Sequence, residues 1–156
     1  MVKLEMVKLS QVVNENLVTL DLKANTKKEA IEELTDLLVK NGNVNDKDGF
    51  VKDVLFRESE GVTGLGQGIA IPHGKSWFVN TTSIAIGISK HYIEWESLDG
   101  GPVNVIILFA VRNEDANTLH LTLLQGIAIL LANEDFVKAI HKVDSKEELI
   151  SLLSSN

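Results

Sequence analysis

The densest concentration of chemically capable residues lies at 58–74, ESEGVTGLGQGIAIPHG. Five of the eleven glycines, Gly61, Gly64, Gly66, Gly68 and Gly74, fall within fourteen of these positions. Backbone of that kind turns tightly or lets a ligand come close, and its exposed N–H groups favour anions. The glycines lead through Ile69, Ala70 and Ile71 to Pro72, His73 and Gly74. Pro72 fixes its own φ and has no N–H, so the spacing predicts a short strand over 69–71 with His73 at its end. Sites collect at strand ends in α/β sheets. A neutral imidazole there has a free lone pair that is nucleophilic toward phosphorus. Two plainer readings stand beside that one: the glycines as turns, and His73 as a residue that merely ends a strand. No Gly-Lys-Ser/Thr closes the loop, and a strand rather than a helix follows it, so neither the Walker nor the dinucleotide pattern is met.

Such residues must be held by regular elements, and the patterning supplies them. Thr26 with Glu29 three residues on is a capping box, and Ala30, Ile31, Leu34, Leu37 and Leu38 recur at helical spacing until Asn41-Gly42. This predicts a helix over 27–40. A second begins at Asp46, with Phe50, Val51, Val54 and Leu55 on one face, and ends near Arg57-Glu58. Runs 83–88 and 103–111 are rich in β-branched residues and bounded by Gly, Pro or Asp, as strands are. The second run is apolar at nearly every position, which fits a strand covered on both faces. Helical spacing returns over 118–132, around 134–140, and after Ser145 with Glu148 as a capping pair. Helices and strands interleave, so the expected fold class is α/β: a single compact domain over 1–156, with a central mixed β-sheet flanked by helices on both faces.

Composition excludes several function classes. Fifteen basic against 22 acidic residues give a net charge of −7, which repels phosphate backbones and argues against nucleic acid. The excess sits in residues 91–156, with ten acidic and four basic side chains, so a basic partner would be steered there. The absence of cysteine removes disulfides, thiolate nucleophiles and Cys-based metal sites. No HxxxH pair occurs either, and no metal or cofactor is expected. No run approaches 18 apolar residues and MVKLEMVKLS lacks a leader's apolar core, so a cytoplasmic protein without membrane insertion is expected.

Glu58, Leu65-Gly66 and Ile69-Ala70-Ile71-Pro72-His73-Gly74, at that spacing, resemble the active-site signature of the fructose/mannitol type of enzyme IIA in the bacterial phosphoenolpyruvate-dependent sugar phosphotransferase system (PTS). A Lys/Glu-rich first helix, Phe56-Arg57-Glu58, WESLDGGP at 95–102 and Leu119-His120-Leu121 with Leu124 resemble the family in the same order, over roughly 8–154. The resemblance implies that His73 accepts a phosphoryl group from the phosphocarrier HPr and passes it to a cysteine of a sugar-specific IIB on another chain, and through it to the membrane IIC. It implies that Arg57 and His120 line the same site as catalytic and phosphate-binding residues, and it leaves Thr63 a phosphate-binding hydroxyl. Val62 stands before Thr63, where the family often has serine. Taken alone, Arg57 also reads as a helix-end residue meeting solvent, and His120 as a helix histidine bonded to a carbonyl. A nitrogen-type regulatory homologue, acting by phosphorylation-dependent protein binding, is the alternative function. His91 and His141 read as ordinary surface residues, Trp95 as core, and Trp77 and Phe78 as either core or docking surface.

Overall fold

The computed structural model describes residues 9–154; the absence of a leader, read at the first ten positions, rests mainly on residues outside that range. At the centre of the sheet is β6 (Val103–Arg112), whose residues 105–111 are all buried. Its apolar continuity thus has the expected cause: neighbours on both edges and helices on both faces. On one edge runs β5 (Ser83–Ile93), antiparallel, with Ile86 opposite Ile107, and beyond it the two-residue β1 (Val18–Thr19), parallel to β5. On the other edge β3 (Ile69–Ala70) and β4 (His73–Ser76) both run parallel to β6, with Ile69 opposite Val105 and His73 opposite Phe109. Outside β3 lies β2 (Gly64–Gly66), antiparallel to it. The result is a mixed six-stranded sheet.

His73 therefore does not end a strand, as the sequence suggests. It reopens one. Pro72 has no N–H to give the ladder, yet its carbonyl accepts the Phe109 amide at 2.9 Å, so β3 and β4 are one strand interrupted for two residues. Nor is the glycine-rich stretch an open loop. Gly66, Gln67 and Gly68 have φ of 101°, 58° and 79°, which turns β2 back onto β3. Two of its amides are taken: Gly64 N donates to Glu96 O at 3.1 Å and Gln67 N to Asp99 Oδ2 at 3.1 Å.

Five helices cover the sheet. Thr26 caps α1 (Lys27–Lys40) by accepting from Glu29 N, as the sequence announces, while the Glu29 carboxylate accepts not from the cap's own amide but from Asn25 N, one residue earlier. Asp46 caps α2 (Lys47–Glu58) in the same manner at Gly49 N. These two helices share one face. A methyl at Gly74 would stand 2.6 Å from Phe50 and Val54 of α2, and one at Gly87 3.0 Å from Leu34 of α1, so glycine allows both helices to lie against the strands. Side chains alternate along a strand, so Phe109, next to Ala110, projects to the opposite face, where its ring meets that of His120 at 6.0 Å in α3 (Leu119–Leu131). Packed beyond α3 are α4 (Glu134–Ile140) and α5 (Lys146–Ser154), the latter capped by Ser145 at Glu148 N. β5 runs five residues past its expected end through an irregular pairing between Ile88 and Ile93, because Lys90, His91 and Tyr92 face water and carry no apolar signal.

Candidate functional site

The interrupted strand aims His73 and Lys75, two residues apart, to the same side of the sheet. On that side they meet the first turn of α3, which carries His120, while the last turn of α2, which packs on the other face, brings Arg57 to the same cleft. The four side chains line one cleft of about 470 Å³, together with Asp53, Phe56, Glu60, Asn113 and Leu124. Three of the residues singled out in the sequence, His73, His120 and Arg57, are thus brought together. The fourth, Thr63, lies outside the lining: its hydroxyl donates to Glu58 Oε2 at 2.7 Å and accepts from Trp95 Nε1 at 3.0 Å.

The His73 ring is 7% exposed and stacks on Phe109 at 5.0 Å with an interplanar angle of 12°. His120 is equally enclosed, its ring 5.1 Å from that of His73 and tilted by 57°. Nδ1 of His73 and Nε2 of His120 are sealed from solvent with no hydrogen-bond partner among the described residues. A buried polar atom left in that state costs on the order of 1–3 kcal/mol, which marks the pair as held for something other than stability. Burial is the chief force on the titration of His73, pushing it from 6.5 down to about 4, with His120, Arg57 and Lys75 adding to the shift. The Ile71 main chain pulls the other way. His120 is lowered too, first by burial and then by Lys75 and Arg57. Both rings are neutral at physiological pH, so the positive charge of the cleft comes from Arg57 and Lys75. Arg57 enters none of the ion pairs found among the described residues, which leaves its guanidinium free for an anion.

These shifts carry a stability consequence. Above pH 6.5 the His73 ring is neutral in the folded and unfolded chain alike, and contributes no pH dependence. As pH falls from 6.5 through about 4, the unfolded chain takes up the proton first and the folded state loses stability by roughly 3 kcal/mol, at about 1.4 kcal/mol per unit. Denaturant unfolding of the wild type and of His73→Gln at pH 7 and pH 4.5 should show the wild type losing about 2 kcal/mol more than the variant; equal losses would contradict the depressed titration.

Lys75, like Asp53, Glu60 and Asn113, lines the cleft without having been singled out in the sequence, and it is the one cation among them. Its signal was strand alternation, available only if the strand is allowed to continue past Pro72. Trp95 is buried as expected, whereas Trp77 is 79% exposed and Phe78 half-buried. His91 and His141 lie at the surface but are not idle: Nε2 of each sits within 2.9 Å of a main-chain carbonyl, that of Ala24 and of Gln67 respectively. Among the described residues no three His, Asp or Glu side chains converge as a metal site would need.

Comparisons with known proteins agree with this fold. The chain is 33% identical over 149 residues to the fructose-specific EIIABC component of the PTS of Bacillus subtilis, a match that covers 96% of this chain and 23% of that protein. The chain thus spans about a quarter of that relative's length. Among solved structures, the nitrogen regulatory protein IIA-Ntr of Neisseria meningitidis superposes with a TM-score of 0.84 at 28% identity, covering 92% of this chain and 97% of that one. Enzyme IIAMtl of Escherichia coli, in its complex with phosphorylated IIBMtl, superposes with a TM-score of 0.77 at 26% identity, covering 92% and 98%. The sequence model described as phosphoenolpyruvate-dependent sugar phosphotransferase system, EIIA 2, matches residues 11–156. With 146 of its 156 residues matched by that model, the chain belongs to the EIIA 2 family of the phosphoenolpyruvate-dependent sugar phosphotransferase system.

Proposed function

We propose that this protein is a cytoplasmic relay of sugar uptake that takes a phosphoryl group from HPr onto Nε2 of His73 and hands it to a cysteine of a sugar-specific IIB. The observation that carries this reading is the state of the His73 ring: neutral at physiological pH, with Nδ1 sealed and the ring bordering the cleft. The Nε2 lone pair forms the new P–N bond as the P–N bond on HPr breaks and its electron pair returns to the HPr imidazole. Transfer onward forms P–S on the IIB thiolate and leaves Nε2 its lone pair. Such transfer asks mainly for positioning and for charge around the equatorial oxygens. Arg57 supplies a bidentate fork, Lys75 a point charge, and His120 a ring within reach of the transferred group. Phe56, a lining residue that is 66% exposed, gives the cleft mouth an apolar rim on which a visiting protein can seat itself.

The regulatory reading, phosphorylation-dependent binding of other proteins, has the IIA-Ntr superposition in its favour. One experiment addresses both. Incubated with labelled phosphoenolpyruvate, enzyme I and HPr, the protein should acquire acid-labile, base-stable label that passes to IIB; label that enters but never reaches any sugar-specific IIB would favour regulation, and no label would overturn the relay.

A further inference from the structure

The hydroxyl of Thr63 lies in the middle of a buried polar chain outside the cleft. Its Oγ1 donates to Glu58 Oε2 at 2.7 Å and accepts from the Trp95 indole at 3.0 Å, and Thr63 itself is 2% exposed. The Glu58 side chain, 4% exposed, is paired through its other oxygen with Lys27 Nζ at 3.1 Å. Lys27 in turn reaches Glu96 at 2.5 Å and stands over the Trp95 ring, 5.6 Å from its centroid. The buried members, the two Glu58 oxygens, the Thr63 hydroxyl and the Trp95 indole N–H, are each partnered, the condition under which a buried polar network fixes one arrangement rather than weakening it.

Its two ends attach to the two sides of the cleft. Glu58 is the last residue of α2, and its neighbour in sequence is Arg57. The main-chain carbonyl of Thr63 accepts from Ile71 N at 3.0 Å, two residues before His73. The next residue, Gly64, is bound in both directions, its N to Glu96 O and its O to Leu98 N. A single residue thus grips the helix end that carries the guanidinium with its side chain, and the strand that carries the imidazole with its main chain.

We infer that Thr63 is a positioning residue that sets the separation of Arg57 from His73, rather than a ligand of the phosphoryl group. The inference rests on the relay reading above. Thr63→Val keeps the shape and removes the hydroxyl; Thr63→Ser keeps the hydroxyl. Single-turnover labelling by phospho-HPr should fall at least about tenfold in Thr63→Val, on the scale that small misplacements cost, and return close to wild type in Thr63→Ser. Because Thr63 acts through Arg57, the Thr63→Val/Arg57→Ala double variant should be no slower than Arg57→Ala. An NMR titration of the His73 ring needs no phosphotransfer: Thr63→Val should raise its pKa in the direction that Arg57→Ala does, and the double variant should raise it no further. Multiplied rate losses in the double variant, a Thr63→Ser variant as slow as Thr63→Val, or a His73 titration unmoved in Thr63→Val would each overturn the assignment. Should Thr63→Val fail to fold, Thr63→Ala carries the same expectations. If the wild type itself takes no label, the relay reading fails and the titration alone decides the positioning role.

Discussion

On the relay proposed above, His73→Ala is expected to take up no label from phospho-HPr and to pass none to IIB, a loss of at least about 10³-fold, the scale on which removal of a covalent nucleophile acts. Nε2 of His120 is sealed from solvent, with no hydrogen-bond partner among the described residues, so it offers no ready replacement. The fold should survive, because the ring brings an unpartnered nitrogen into a buried place and the strand beneath it is held by main-chain pairing with β6. Circular dichroism and thermal unfolding at pH 7 check that the variant is folded; acid-labile label on a folded His73→Ala would move the nucleophile elsewhere.

Arg57→Ala is expected to accept the phosphoryl group about 10²- to 10³-fold more slowly, the cost of removing one preorganised donor from a developing anion. Arg57→Lys should recover only part of that, since an ammonium offers a point charge in place of a planar fork. The loss belongs in the rate of transfer at saturating phospho-HPr, because the guanidinium faces the cleft and not the apolar rim. Stopped-flow or rapid-quench labelling over a range of phospho-HPr concentrations separates the two; an effect confined to the concentration dependence would make Arg57 a docking residue. The variant should also raise the His73 titration, since Arg57 is among the charges that depress it.

Much of this architecture could be read from residue order. The capping pairs Thr26/Glu29, Asp46 and Ser145/Glu148 marked where three helices begin, because a side chain that satisfies free amides is a local device. β6 was visible because a strand buried on both faces is apolar throughout. What escaped notice depended on partners distant in sequence. Val18 and Thr19 form a strand only because β5 lies beside them, and Gly64 to Gly66 only because Ile69, Ala70 and Ser97 do. Pro72 hid the continuation into β4 and, with it, Lys75. Thr63 was legible as a site-region residue by resemblance, but its commitment to Glu58 and Trp95 spans 32 residues to the indole, beyond any local pattern.

The strand that carries His73 is fastened to β6 both before and after the proline, through β3 and through β4. An imidazole mounted so cannot ride out on a flexible tether to meet distant acceptors. In the relay proposed above, cargo would then move by exchange of companions at a stationary post, each arriving protein bringing its own reactive group to within bonding distance.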